Sequence, residues 1–82
     1  MSVMNIKLNN IGRNLEKITE KLNKNTTLLA MVKANAYGLG DYEIAEYLES
    51  KGVNFFGVAY VKEGVHLRKN GINSNILVTS RI

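Results

Sequence analysis

Cysteine, proline and tryptophan are all missing from this 82-residue chain. Without cysteine there is no disulfide scaffold and no thiolate metal site, a usage that suits a reducing cytosol. Without proline, nothing in the chain forces a helix to kink. No apolar run approaches the roughly 20 residues of a membrane span. Residues 1–6 lack the basic start and apolar core of a signal peptide, so a soluble cytoplasmic protein is the expectation. His66 is the single histidine and has no histidine, cysteine or carboxylate at a metal-ligand spacing. It reads as a surface or boundary residue of a helix, and no metal is expected. There is no G-x-S-x-G and no serine–histidine–aspartate constellation.

The formal net charge is +4, and its distribution decides what it means. Residues 1–40 carry six basic and two acidic groups, whereas residues 41–82 carry five of each. A basic excess attracts phosphates. Here, however, Arg13, Glu16, Lys17, Glu20, Lys21 and Lys24 alternate in sign along one stretch, with Glu20 and Lys24 at the favourable i, i+4 spacing. That pattern is a solvated helix face, and no nucleic-acid partner is expected. Glu43, Glu46 and Glu49, three residues apart, read in the same way.

Apolar spacing then gives the elements. Ile11, Leu15, Ile18 and Leu22 recur at steps of four, three and four, one stripe on a helix over about residues 8–24, with Asn25-Thr26 as its break. Residues 27–32 are almost continuously apolar, as in a parallel strand covered on both faces. Asp41 is a good N-cap for a helix over residues 42–50, with Ile44, Ala45 and Leu48 on one side and Gly52 just past its end. Residues 53–59 form a second strand. Residues 62–70 form a helix with Val65 and residues 67–69 inside it, ended by Gly71, and residues 76–79 begin a third strand. About two and a half β/α units after a leading helix imply an α/β fold with parallel strands and right-handed crossovers. An open doubly wound sheet and a TIM-type barrel produce the same local pattern. A complete eight-fold barrel needs about 250 residues, so a barrel would be incomplete here.

Leu28-Leu29-Ala30-Met31-Val32-Lys33-Ala34-Asn35-Ala36-Tyr37-Gly38-Leu39-Gly40 is the run that carries chemistry. A lysine where an apolar strand stops is half withdrawn from water; burial disfavours its charged form and frees the amine for covalent chemistry. On placement alone, a lysine that merely ends a strand and extends its amine to solvent is the favoured reading. Gly38 and Gly40 permit close backbone approach in the turn, and Asn35 can hold that turn through side-chain bonds to the backbone. Tyr37 lies four residues after Lys33, near enough for both to approach one ligand, or for the ring to pack over the strand ends.

This run closely resembles the pyridoxal-phosphate attachment motif of bacterial alanine racemases, V-V-K-A-N-A-Y-G-H-G. Eight of the ten positions are identical, with Met31 as a conservative exchange and Leu39 in place of the family's histidine. Related barrel decarboxylases share the shorter core around Val32-Lys33-Ala34-Asn35, and Ala36-Tyr37-Gly38 favours a racemase. Phe56-Gly57-Val58-Ala59 with Glu63, then Leu67-Arg68-Lys69-Asn70-Gly71-Ile72 and Ile76-Leu77-Val78, resemble the family's next segments. The likeness spans about residues 6–78.

The resemblance implies a TIM-type barrel, so that the 82 residues are part of an N-terminal, pyridoxal 5'-phosphate-binding barrel domain. It implies Lys33 as the cofactor lysine and as acid or base on one face of the substrate Cα, and Tyr37 as a contact to the cofactor phosphate. It also implies alanine as substrate, D-alanine for peptidoglycan as product, and a homodimer whose partner subunit supplies a tyrosine for the other face. The family's members are several times longer, so the chain is expected to be inactive alone. Its edge strands, unpaired on their outer sides, are expected to drive self-association. The alternatives are another pyridoxal-phosphate barrel enzyme, either a broad-specificity racemase or a decarboxylase, and a noncatalytic β/α module.

Overall fold

The computed structural model describes residues 2–32 and 41–80. Its elements are α1 (Val3–Lys21), β1 (Ala30–Met31), α2 (Asp41–Ser50), β2 (Phe55–Val58), α3 (Val61–Lys69) and β3 (Asn75–Val78). The three strands form one parallel sheet in the order β1-β2-β3, with Ala30 beside Phe56, Phe56 beside Ile76, and Val58 beside Val78.

α1 begins five residues before the expected start at residue 8 because Ser2 caps it: the Ser2 hydroxyl accepts from the Asn5 N–H at 3.0 Å. The helix ends at Lys21. Leu22 is already extended, and the Asn23 side chain accepts from the Asn25 N–H and the Thr26 hydroxyl, at 2.9 and 3.0 Å. That local turn competes with the helix and stops it three residues short of the expected end. Ile11 and Leu15 pack against the core, whereas Ile18 is 45% exposed and does not join it.

α2 and α3 end by the same device. Gly52 and Gly71 take φ of +96° and +94°, conformations open to glycine and costly for other residues. The Val53 N–H then reaches back to the Leu48 carbonyl at 3.0 Å, and the Ile72 N–H to the Leu67 carbonyl at 3.1 Å. This closure turns the chain from helix to strand and buries Val53 and Ile72 beside Leu48 and Leu67. Val65 lies within α3 as expected, with its side chain exposed.

One apolar cluster joins all the layers. Val32, Phe56 and Val58 of the sheet meet Ala45 and Leu48 of α2 and Leu67 of α3, with Ile11, Leu15, Ala30, Ile76 and Val78 packed against them. Each large side chain buried this way contributes about 1.5–3 kcal/mol. The strand residues in the cluster share one face of the pleat, so all three helices lie on that face. A doubly wound sheet places helices on both; a sequential strand order with one-sided helices is the winding of a barrel. Among the described residues, nothing covers the other face. Leu29, Met31 and Leu77 are 37%, 58% and 46% exposed, so β1 is covered on one face and not, as its continuous apolar run suggested, on two. Three strands do not close over that face.

Glu49 departs from the solvated reading of its helix face. It is half-buried, and its Oε2 accepts from the Asn73 N–H (3.0 Å), the Ser74 N–H (2.9 Å) and the Ser74 hydroxyl (2.6 Å). Arg68 grips the same loop from the other side, its Nη1 donating to the Ile72 and Ser74 carbonyls at 2.9 and 2.6 Å. The Ser74 hydroxyl, assisted by the two backbone donors and the Arg68 charge, holds the Glu49 carboxyl below the usual carboxylate range against a smaller opposing desolvation. A lowered folded-state value adds stability that is complete above the ordinary carboxylate pKa, about 4.3, and is lost as pH falls through the folded-state value. Replacing Glu49 with Gln should cost on the order of 1 kcal/mol at neutral pH after allowance for solvent screening. Denaturant unfolding from neutral to acid pH should show a shallower loss of stability in Glu49→Gln than in the parent chain.

Candidate functional site

In parallel β/α folds, ligands collect at the carboxyl ends of the strands, because each strand there hands the chain to a loop and the following helix presents its N-terminus. In this chain that rim is built by extending the ladder past each strand. The Val32 N–H donates to the Gly57 carbonyl at 2.8 Å, the Thr79 N–H to the Val58 carbonyl at 2.9 Å, and the Ser80 N–H to the Ala59 carbonyl at 3.0 Å. These bonds bring the chain after β1, residues 59–60 after β2 and residues 79–80 after β3 to one edge of the sheet.

Lys33 follows Val32 directly in sequence and Tyr37 comes four residues later; both lie outside the described residues, as do Asn35, Gly38, Leu39 and Gly40. The described part of the rim offers three hydroxyl-bearing residues: Tyr60, Thr79 and Ser80. The Thr79 hydroxyl donates to the Val58 carbonyl at 3.0 Å, which pins the end of β3 to β2. Tyr60 is exposed and its ring lies 5.9 Å from the Lys62 ammonium, within range of a cation–π contact. Below this rim, on the open face, lie the apolar side chains of Met31 and Leu77.

Glu63 is the buried ionisable group among the described residues. It occupies the first turn of α3, where the helix dipole favours an anion, and its Oε1 accepts from the Tyr60 N–H at 2.7 Å. That bond fixes the angle at which the chain leaves β2 and so sets where Tyr60 stands at the rim. The sequence gives a partial sign of this role, an acid three residues into a helix. The sign is muted because the cap residue is tyrosine rather than serine, threonine or aspartate.

The remaining polar residues divide as follows. His66 is exposed on α3, with Asn70 Nδ2 3.5 Å from its ring nitrogens. No group of three metal-ligating side chains occurs among the described residues. Glu43 and Glu46 are exposed, and a hydrogen bond to Glu46, helped by its negative charge, raises the Tyr42 pKa. A groove of about 750 Å³ lies between α1 and α2 around Gly12, Leu15 and Tyr47, rimmed by Arg13, Glu16, Glu20 and Lys51. It belongs to the helix layer and not to the strand ends. No described helix is long and apolar enough to cross a membrane.

Comparison with known proteins is consistent across three kinds of likeness. The profile of the alanine racemase N-terminal domain matches residues 6–81. An alanine racemase of Macrococcus caseolyticus is 45% identical over 75 residues, 92% of this chain and 20% of that protein. A serine/alanine racemase of Enterococcus gallinarum is 48% identical over 65 residues, covering 79% of this chain and 9% of that protein. Among solved structures, an alanine racemase of Clostridium difficile 630 superposes with a TM-score of 0.82 at 37% identity, over 92% of this chain and 20% of that one. The chain thus spans about a fifth or less of the length of these relatives. That superposition also decides the architecture in favour of the incomplete barrel, in agreement with the one-sided helices. With its profile, its relatives and its fold in accord, the chain belongs to the alanine racemase N-terminal domain family.

Proposed function

We propose that residues 1–82 form part of the pyridoxal-phosphate-binding barrel domain of an alanine racemase, with Lys33 as the cofactor lysine and Tyr37 as a contact to the cofactor phosphate. The observation that carries this reading is a motif lysine immediately following Val32, whose backbone bond to Gly57 marks the carboxyl end of β1. Leu29 and Met31, just before this lysine in sequence, occupy the open face. The described rim suits the cofactor. Apolar side chains below can face a flat ring, and the hydroxyls of Tyr60, Thr79 and Ser80 stand at the edge with polar atoms for its substituents.

When bound, pyridoxal 5'-phosphate supplies the electron sink that makes the Cα–H of an amino acid acidic. Lys33 contributes the amine that anchors the group and moves a proton at one face of Cα. Tyr37 contributes a hydroxyl that holds the phosphate in place. The opposite face belongs to a tyrosine of the partner subunit of a homodimer, which lies outside these 82 residues. D-alanine for peptidoglycan is the corresponding product, and the cytoplasm the corresponding compartment. Relatives named serine/alanine racemase and amino-acid racemase, at 48% and 43% identity, favour a second reading with a broader amino-acid substrate.

Incubation of the chain with pyridoxal 5'-phosphate, borohydride reduction and peptide mass mapping should place the label on Lys33 in preference to the other lysines. Label spread evenly, or unchanged in Lys33→Ala, would remove the assignment. Tyr37→Phe deletes one hydrogen bond to a charged group, worth about 1.5–3 kcal/mol, and should weaken cofactor retention in an equilibrium titration by roughly ten- to 150-fold. One base cannot serve both faces of Cα, so a coupled assay with alanine or serine should find no racemisation by the 82 residues alone. Sedimentation should show them self-associating through the open strand edges. A monodisperse monomer with turnover would contradict both expectations.

A further inference from the structure

On the open face, the row Met31–Gly57–Leu77 crosses all three strands, one residue below the rim. Met31 and Leu77 are exposed, yet Gly57 between them is buried. It is buried because Met31 lies over it. A Cβ at position 57 would collide with the Met31 sulfur, and would stand 3.3 Å from the Met31 methyl and 3.5 Å from Leu29 Cδ2. Gly57 is not among the residues of positive φ, so its backbone makes no demand for glycine; the space does. The family motif carries valine where Met31 stands, so in this chain a longer side chain fills room that a bare position 57 leaves.

We infer that Met31 and Gly57 act as one packing unit that forms the apolar floor of the ligand site at the strand ends, with Met31 as a positioning residue. This rests on the reading of Lys33 as the attachment point. An unbranched thioether laid across bare backbone gives a low apolar surface on which a planar ring can settle, and its three rotatable bonds let it conform to that ring. A side chain at position 57 lifts Met31 off the sheet and into the space above the row. The atom that must give way is the far end of a flexible side chain and not backbone, so the substitution repositions Met31 without breaking the β1–β2 ladder.

The experiment compares the 82-residue chain with Gly57→Ala, Met31→Val and the double variant. Each is incubated with pyridoxal 5'-phosphate, reduced with borohydride and mapped, and the readout is label on Lys33 relative to label on Lys17 and Lys51. These two lysines lie on α1 and just past α2, away from the row, and report general reactivity. Gly57→Ala should lower the ratio roughly tenfold, the scale of overpacking a fitted site. Met31→Val should lower it about threefold, and the double variant should return to within about twofold of the parent, the non-additivity expected of residues in contact. Denaturant unfolding of all four proteins separates a moved floor from a lost fold. A parent chain that labels Lys33 while Gly57→Ala leaves the ratio unchanged overturns the inference alone, as does a loss that tracks the unfolded fraction. A parent chain with no preference for Lys33 overturns the site reading and the floor with it.

Discussion

Everything in this structure depends on β2 being buried against helices on one side and paired on both edges. It is the one strand with two neighbours, and Phe56 and Val58 are fully covered there. α2 brings Ala45 and Leu48 to these side chains from one direction, and α3 brings Leu67 from the other. Remove that shared contact and α1, α2 and α3 have no common layer. Because all three helices use the same face, no described helix covers the opposite one, and the row Met31–Gly57–Leu77 lies there.

Much of this was legible in the sequence, and the reasons are physical. Helix ends were the clearest features, because Gly52 and Gly71 need a conformation that few residues adopt and each is followed by an apolar residue that the turn buries. Parallel strands follow from short apolar runs alternating with amphipathic stretches, whereas the face on which the helices lie does not, since a barrel and a doubly wound sheet share that pattern. Strand coverage was less legible. A continuous apolar run such as residues 27–32 reports a strand apolar on both sides, and does not say whether both sides are covered. Ile18 belongs to the stripe of α1 by spacing and yet stays exposed, since a stripe records direction and not what lies opposite.

The candidate site residues of the motif lie outside the described structure, and the polar contacts that the structure does describe were obscure in the sequence. Lys33 and Tyr37 were singled out by their neighbours in sequence. Glu63 and Glu49 were not, because their roles depend on backbone N–H groups presented by turns, which leave little trace in residue identity. Glu49 shows the difficulty well: at its spacing from Glu43 and Glu46 it looks like any solvated acid, while its carboxylate is in fact bound to a loop 24–25 residues further on. Gly57 likewise gave no warning, since its reason for being glycine is the Met31 side chain of the adjacent strand.

The Glu49 contact has a consequence for how the units succeed one another. It ties the end of α2, which follows β1, to the loop that delivers the chain into β3, while Arg68 holds that loop from α3. The entry point of the third strand is therefore held by two successive helices in addition to its own ladder bonds. The register of β3 in this fold rests on side chains of both preceding helices as well as on its own ladder.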